Sequence, residues 1–252
     1  MKNTEFYIDH DGIPLHAKLD FPDLSSPSGK YPLVIVIHGF TGHMEETHIR
    51  AVARTLNENG FASLRVEMYG HGASGGSFRE HTLFKWLSGS LTVIDYARNL
   101  DFVTDLYLAG HSQGGLTAML AGAMKEDVLK AIIPLSPAVT IPDGARQGLL
   151  LGNPFDPLHV PDFIRLADGR ELGGNYARAA QLIYVEPAIR KFKKPVLVIH
   201  GDADESIPVD DAVRAAKLYD NVTIKIIPGD THCYDHHLDQ VTDEIIRFIT
   251  NV

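Results

Sequence analysis

The stretch "LYLAGHSQGGLTAML", residues 106–120, places one serine among three glycines, between two apolar runs. Glycine weakens both strands and helices, so a cluster of glycines carries a local cost. The run before Gly110 predicts a strand, and the run after Gln113 predicts a helix. A sharp strand-to-helix turn explains the glycines, because side chains at Gly110 and Gly114 would crowd the neighbouring backbone. Such a turn would present Ser112 at the N-terminus of a helix, where partial positive charge favours an oxyanion.

The segments on either side of this turn alternate between strands and helices. "LVIVIH" (33–38) is a continuous apolar run, as expected for a strand buried on both faces. The repeated β-α order predicts an α/β protein with a mostly parallel sheet covered by helices. "TEFYIDHDGIPLHAKLDF" (4–21) differs, because it predicts two antiparallel strands joined by a turn at Asp11-Gly12.

One region interrupts this alternation, from Pro137 to about Arg190. It contains an extended stretch, "LLLGNPFDPLHVPDF" (149–163), and one helical stretch, "NYARAAQLIYVEPAIRKF" (175–192). A long irregular segment inside a compact domain is usually functional or a small subdomain. We expect residues 137–190 to form an inserted cap over the C-terminal edge of the sheet, within a single domain spanning 1–252.

Composition excludes several classes of protein. The chain has 252 residues, 44% hydrophobic and 22% charged, with a formal net charge of −9. This negative charge argues against a nucleic-acid partner. No apolar run reaches the roughly 18 residues of a membrane span, and the N-terminus lacks the apolar core of a secretion signal. The single Cys233 cannot form an intrachain disulfide. We therefore expect a cytoplasmic protein with no membrane partner.

A serine hydroxyl is a weak nucleophile and needs a base. With a strand-turn-helix nucleophile, the chain order is serine, acid, histidine. "IIPGDTHCYDHH" (226–237) places His232 just after the last predicted strand. We expect His232 to take the proton of Ser112 and later return it to the leaving alcohol.

The acid comes from "VLVIHGDADESIP" (196–208), which offers two aspartates past a strand end. Asp204 is the favoured acid, because it lies at the tip of the loop and can reach a histidine. Asp202 is interpreted as a turn-former that binds backbone, and Glu205 ranks third. The acid would hold the imidazole tautomer and stabilise the imidazolium.

An oxyanion hole needs two backbone donors. One is the N–H of Gln113, the residue after the nucleophile. The loop "HGFTG" (38–42) supplies the other, from the N–H of Phe40, with Gly39 allowing close approach. His38 is interpreted as a structural residue that binds backbone in this loop.

A second interpretation of the C-terminal stretch is a metal site made by His232, Asp235, His236 and His237. A helix predicted to begin near Tyr234 would point adjacent histidines in different directions. No further ligand set completes such a site. We therefore predict no metal and no cofactor.

With these motifs in hand, the chain resembles the α/β-hydrolase superfamily over its whole length, and within it the bacterial cinnamoyl/feruloyl esterases. "HGFTG" and "GHSQGG" recur in many hydrolases. "LGGNYARAAQ" and "IPGDTHCYDHH", with the position of the insertion, are more specific. The resemblance implies the α/β-hydrolase fold, with a mostly parallel eight-stranded sheet and a cap inserted after strand 6.

The resemblance also implies the triad Ser112, Asp204 and His232, and a cap that recognises the aromatic acid of ferulate, caffeate or p-coumarate esters. Polar residues early in the insertion contact the ring hydroxyls in such proteins. The matching residues here are Asp143 and Gln147, in the polar turn "IPDGARQG". Members of this family are often homodimers, and the sequence of this chain neither favours nor excludes a homodimer.

The leading hypothesis is thus a serine carboxylesterase acting on small aromatic esters. A monoacylglycerol lipase or general short-chain esterase would use the same triad with a different insertion. A prolyl-oligopeptidase-type peptidase usually carries a large N-terminal domain, which this chain has no room for. A non-catalytic binding protein on the same fold usually has a damaged triad, whereas every expected catalytic residue is present here.

Overall fold

The computed structural model describes residues 3–22 and 26–252. Twelve strands lie in these residues: β1 (Asn3–His10), β2 (Ile13–Asp20), β3 (Tyr31–Ile37), β4 (Ala62–Val66), β5 (Val103–His111), β6 (Leu129–Leu135), β7 (Leu149–Leu150), β8 (Asn153–Pro154), β9 (Phe163–Arg165), β10 (Glu171–Gly173), β11 (Val196–Gly201) and β12 (Val222–Ile227).

Eight α-helices lie in the same residues: α1 (Thr47–Glu58), α2 (Leu83–Arg98), α3 (Gln113–Met124), α4 (Ile141–Gln147), α5 (Gly174–Gln181), α6 (Val185–Lys191), α7 (Val209–Ala216) and α8 (Leu238–Ile249). One turn of 3-10 helix, Phe78–Glu80, precedes α2. None of the helices in the described part of the chain has both the length and the apolarity needed to cross a membrane.

Eight of the strands form one sheet in the order β1-β2-β4-β3-β5-β6-β11-β12. The pairs β1–β2 and β2–β4 are antiparallel, and the remaining pairs are parallel. Strands β3, β4 and β5 are buried along most of their length because helices cover both faces. The predicted α/β architecture, with its antiparallel N-terminal edge, is confirmed.

The segment between β6 and β11 carries α4, two short hairpins (β7–β8 and β9–β10), α5 and α6. The prediction of a single helix over residues 175–192 is wrong, since two helices occupy this stretch and a break separates them. In one continuous helix the ring of Pro187 would clash with the carbonyl four residues earlier, whereas proline is tolerated in the first turn of α6.

The last helix begins at Leu238, four residues later than the predicted start near Tyr234. The buried carboxylate of Asp230 holds the preceding turn instead. It accepts hydrogen bonds from the backbone N–H groups of Thr231, His236 and His237, at 2.9, 3.1 and 3.0 Å. Side-chain competition for backbone donors of this kind delays helix formation.

Candidate active site

Ser112 lies at the turn between β5 and α3, with φ of +54°. This φ strains a residue that carries a Cβ atom. The backbone is held there by the Ser112 N–H, which donates to the Leu135 carbonyl at 2.8 Å. The glycines behave as predicted: a Cβ at Gly110 would strike the main chain of Gly114, and one at Gly114 would lie 2.5 Å from the His38 carbonyl oxygen.

The side chains of His232 and Asp204 are joined by a hydrogen bond of 2.7 Å, from Nδ1 to Oδ2. The other carboxylate oxygen of Asp204 accepts the backbone N–H groups of Ser206 and Ile207, at 2.8 and 2.9 Å. The loop after β11 therefore orients the carboxylate toward the loop after β12. A proton on Nδ1 leaves Nε2 of His232 free to accept another.

A second histidine supports Asp204 from beneath. Nε2 of the fully buried His200 lies 3.0 Å from Oδ2 of Asp204 and 3.0 Å from the Ile207 carbonyl oxygen. Burial acts to raise the pKa of Asp204, but the hydrogen bonds from His200 and His232 outweigh it and hold the pKa well below its ordinary value. Asp204 is therefore ionised wherever the protein is folded near neutral pH. Asp202 instead accepts the Gly229 N–H at 2.6 Å, as expected of a turn-former.

The loop that carries His232 is tied to the nucleophile turn by the residue preceding the serine. Nε2 of the buried His111 donates to the His232 carbonyl oxygen at 2.8 Å, and the two rings lie 4.7 Å apart. Tyr234 secures the same loop to the sheet by donating from its hydroxyl to the Ile199 carbonyl at 3.0 Å. Neither anchor was predicted from the sequence.

Ser112 and His232 line the same cavity, of about 350 Å³. Its remaining wall is largely apolar and comes from the loop after β3, the segment after β6 and the loop after β11. The apolar residues are Phe40, Ala138, Ile141, Leu151, Leu166, Ala167 and Ile207. The three residues predicted as a triad are thus brought to one place, two in the cavity wall and Asp204 directly behind His232.

Of the two residues predicted to supply oxyanion donors, Phe40 lines this cavity and Gln113 directly follows Ser112 in the chain. Among the described residues, the backbone N–H groups of Phe40 and Gln113 have no hydrogen-bond partner. The Phe40 carbonyl lies 2.5 Å from Nε2 of the buried His71, which fixes the orientation of its loop. His38 is structural, as predicted: its Nδ1 donates to the Gly39 carbonyl at 2.7 Å, and its Nε2 accepts the Met68 N–H.

Asp143 and Gln147 lie outside this cavity, contrary to the position implied by the resemblance. Both are exposed residues of α4 and line a separate groove. The buried face of α4 carries Ile141 and Ala145, one turn apart. Asp143 is two residues from Ile141, a rotation of about 200°, which directs it to solvent. Its carboxylate forms an ion pair with Arg146 at 2.5 Å.

We therefore expect Asp143→Asn to leave kcat and KM for a feruloyl ester unchanged. The change removes an exposed ion pair, which contributes about 0–1 kcal/mol to stability. Steady-state kinetics with methyl ferulate, compared with Gln147→Ala, measures this. A rise in KM for ferulate esters but not for aliphatic esters would contradict the position of α4 described above.

The inserted segment contributes residues that the sequence did not single out. Leu151, Asn153, Leu166 and Asp168 lie in its two hairpins and line the cavity. The hairpin strands are two or three residues long, too short to show a period-two pattern. No signal in one sequence could have identified these residues.

Four of the histidines buried in or around the site have a strongly lowered pKa. Burial lowers the pKa of His38 and of His81 to about 3, and that of His48 to about 4. Burial also lowers the pKa of His111, well below its ordinary value. The folded protein therefore keeps all four imidazoles neutral, whereas the unfolded chain protonates them below about pH 6.5.

Because these pKa values are depressed on folding, their contribution to stability is present above about pH 6.5 and is lost as the pH falls. From pH 7.5 to 5.5 each of these four histidines should lower the free energy of unfolding by about 1.4 kcal/mol, so about 5.5 kcal/mol in all. Urea unfolding at several pH values measures the slope. His81→Phe should reduce proton uptake on unfolding by one. A slope of one proton or less in the unmodified protein would contradict the buried neutral state.

Comparisons with known proteins agree with this architecture. The family model described as serine aminopeptidase, S33, matches residues 30–163. The structure of ferulic acid bound to Est1E from Butyrivibrio proteoclasticus is 57% identical, with a TM-score of 0.95, and the match covers 98% of each chain.

Two relatives of lower identity match most of this chain. A monoacylglycerol lipase from Mycolicibacterium smegmatis is 26% identical over 253 residues, covering 87% of this chain and 88% of the relative. Human Protein ABHD12B is 25% identical over 194 residues, and the match spans 75% of this chain but about half (49%) of that protein. The chain therefore belongs to the serine aminopeptidase S33 family, and its membership of the α/β-hydrolase superfamily, which the sequence motifs predicted, is confirmed.

Proposed function

We propose that this protein is a serine carboxylesterase that hydrolyses hydroxycinnamoyl esters such as those of ferulate, caffeate and p-coumarate. The observation that carries the proposal is the 57% identity, over 98% of the chain, to a protein whose structure holds ferulic acid. At that identity the fold and the cavity walls are expected to be shared. The apolar cavity beside Ser112 suits a flat aromatic acid.

Acylation would begin with Ser112 Oγ attacking the ester carbonyl carbon while His232 Nε2 takes the hydroxyl proton. The tetrahedral oxyanion would bind the N–H groups of Phe40 and Gln113, which have no other partner among the described residues. The 2.7 Å hydrogen bond from His232 to the ionised Asp204 supports the imidazolium formed in this step. His232 would then protonate the leaving alcohol, and the ester bond to that alcohol breaks.

Deacylation would repeat the sequence with water. His232 takes a proton from water, whose oxygen attacks the acyl carbon of Ser112, and the oxyanion binds the same two N–H groups. Collapse of the intermediate returns the proton to Ser112 Oγ and releases the free hydroxycinnamic acid. The protein's own groups complete this cycle without a cofactor.

The insertion would act as the cap that selects the acid, since Leu151, Asn153 and Leu166 line the cavity that also holds Ser112. The proposal includes no nucleic-acid or membrane partner, consistent with the net charge of −9. A cytoplasmic location, compatible with one free cysteine, and a homodimeric assembly are parts of the same proposal.

Hydrolysis of methyl ferulate, followed by the release of ferulate, is the direct test. Two comparison substrates are used: the methyl ester of a short aliphatic acid, and a monoacylglycerol. We expect kcat/KM to be highest for methyl ferulate, because only the aromatic acid fills the apolar cavity. Good turnover of the aliphatic ester without release of ferulate would refute the substrate class but leave the esterase.

The second candidate is a monoacylglycerol lipase, favoured by the 26% identity to the lipase from Mycolicibacterium smegmatis over most of both chains. The same triad would serve it. A kcat/KM for monoacylglycerol well above that for methyl ferulate would favour this candidate.

A further inference from the structure

A second group of reactive side chains lies next to His232, and none of them takes part in a bond-making or proton-transfer step of the proposed ester hydrolysis. Among the described residues, His48, His111 and Cys233 form the one group of potential metal ligands whose donor atoms all lie within 4.8 Å of one another. Nε2 of His48 is 3.1 Å from Nδ1 of His111. The histidines and Cys233 come from α1, the nucleophile turn and the loop after β12, so they are far apart in the sequence.

The spacing of these donors approaches that of a tetrahedral zinc site. Zn–N bonds of about 2.0–2.1 Å and Zn–S bonds of about 2.3 Å place neighbouring ligand atoms roughly 3.3–3.8 Å apart. The His48–His111 pair is already near this separation. A shift of about 1 Å by the Cys233 side chain would bring its sulfur to the same separation.

The tautomer of His111 also suits metal ligation. His111 donates from Nε2 to the His232 carbonyl, which leaves a lone pair on Nδ1, facing His48. A carbonyl acceptor behind a ligating imidazole is the usual supporting contact in zinc sites.

A carboxylate oxygen near His48 gives further support for a cation at this place. Oε2 of Glu46 is buried and has no hydrogen-bond partner among the described residues. It lies 3.9 Å from Nε2 of His48. A buried carboxylate oxygen without a partner is costly, and a bound cation would satisfy it.

The group is accessible from solvent. Glu46, His48 and Cys233 line a surface groove of about 680 Å³, which also contains the exposed His43 and His236. Glu46 and Cys233 additionally line the cavity that holds Ser112. A cation could therefore reach the group from the groove without passing through the substrate cavity.

We propose that Glu46, His48, His111 and Cys233 form a site for a borderline or soft cation such as Zn²⁺, and that its occupation inhibits the enzyme. Two imidazoles, a thiolate and a carboxylate are donors that favour zinc over magnesium or calcium. On binding, the S–H bond of Cys233 breaks, its proton passes to water, and the sulfur donates an electron pair to the cation. His48 keeps one proton, moved to Nδ1.

Inhibition follows from charge. The His111 and His232 rings are 4.7 Å apart, so a divalent cation on His111 lies close to the base. A nearby positive charge disfavours the imidazolium that His232 must form in the transition state. Because Cys233 directly follows His232 in the chain, a shift of Cys233 on ligation also displaces His232.

Cadmium provides a readout that does not depend on activity. Cys233 is the single cysteine of the chain, so an ultraviolet cadmium–thiolate charge-transfer band can come from no other residue. We expect the unmodified protein to develop this band with one equivalent of Cd²⁺, and Cys233→Ser to show none. His48→Gln should weaken binding at least about tenfold, since loss of even an outer partner costs 10–100-fold. His236→Gln, in the same groove, should bind as the unmodified protein does.

Turnover of a nitrophenyl ester with and without Zn²⁺ tests the second half of the proposal. We expect zinc to lower kcat reversibly, with a chelator restoring it, and the ratio of rates to approach one in Cys233→Ser. No band at millimolar cadmium, equal affinity in His48→Gln, or loss of the band in His236→Gln would overturn the site. A band without inhibition would overturn the inhibitory role, and if His48→Gln does not fold, Cys233→Ser still decides.

Discussion

Ser112→Ala is expected to lower kcat for methyl ferulate by about 10⁴–10⁶-fold while the protein remains folded. The alanine removes the nucleophilic oxygen but keeps the Cβ atom, so the strained backbone at φ of +54° is unchanged. A fluorophosphonate probe should label the unmodified protein and leave the variant unlabelled. Thermal unfolding should show nearly equal midpoints for the two proteins.

Ser112→Gly is the matched control for strain. Glycine adopts positive φ freely, and relief of about 1–2 kcal/mol is partly offset by its greater entropy in the unfolded chain. We expect the glycine variant to be inactive yet more stable than the alanine variant by about 0.5–1 kcal/mol. Residual turnover in Ser112→Ala above about 10% would be incompatible with a serine mechanism.

Asp204→Asn is expected to lower kcat by about 10³–10⁴-fold with little change in KM. The asparagine can still accept the N–H groups of Ser206 and Ile207, so the loop should persist. It carries no charge to stabilise the imidazolium of His232, and its amide group can hold the wrong tautomer. Because the pKa of Asp204 is held well below its ordinary value, the loss should be of similar size from pH 6 to 8.

Asp202→Asn distinguishes the two aspartates that the sequence left in competition. Asp202 is exposed and binds the Gly229 N–H, so its replacement should leave kcat unchanged. Circular dichroism and unfolding midpoints for both variants control for loss of structure. If Asp202→Asn lost activity and Asp204→Asn kept it, the assignment of the acid would be reversed.

Local chemistry explains why so much of the site could be predicted. Gly110 and Gly114 reveal the turn at Ser112, because no other residue type fits the close backbone contacts there. Asp204 and His232 were located by their place after strand ends, since the carboxyl ends of parallel strands meet at one edge of a sheet. Each of these signals depends on short-range geometry that a motif records directly.

Asp143 shows where such reasoning fails. Its position in the chain matched the resemblance, but the rotation of α4 directs it to solvent and into an ion pair with Arg146. A helix seven residues long leaves too few positions for periodicity to reveal its buried face. Leu151 and Leu166 reach the cavity through hairpins that have no sequence signature.

Short stretches of the chain determine the order of elements, the strained serine turn and the identity of the candidate reacting groups, because backbone conformation there depends on neighbours in sequence. The tertiary structure alone decided which side chains face the cavity in the inserted segment. It alone also brought His48 beside His111 and Cys233, since contacts between distant residues depend on how α1 packs against the nucleophile turn and the loop after β12. Packing of that kind is a property of the whole fold, and no local pattern encodes it.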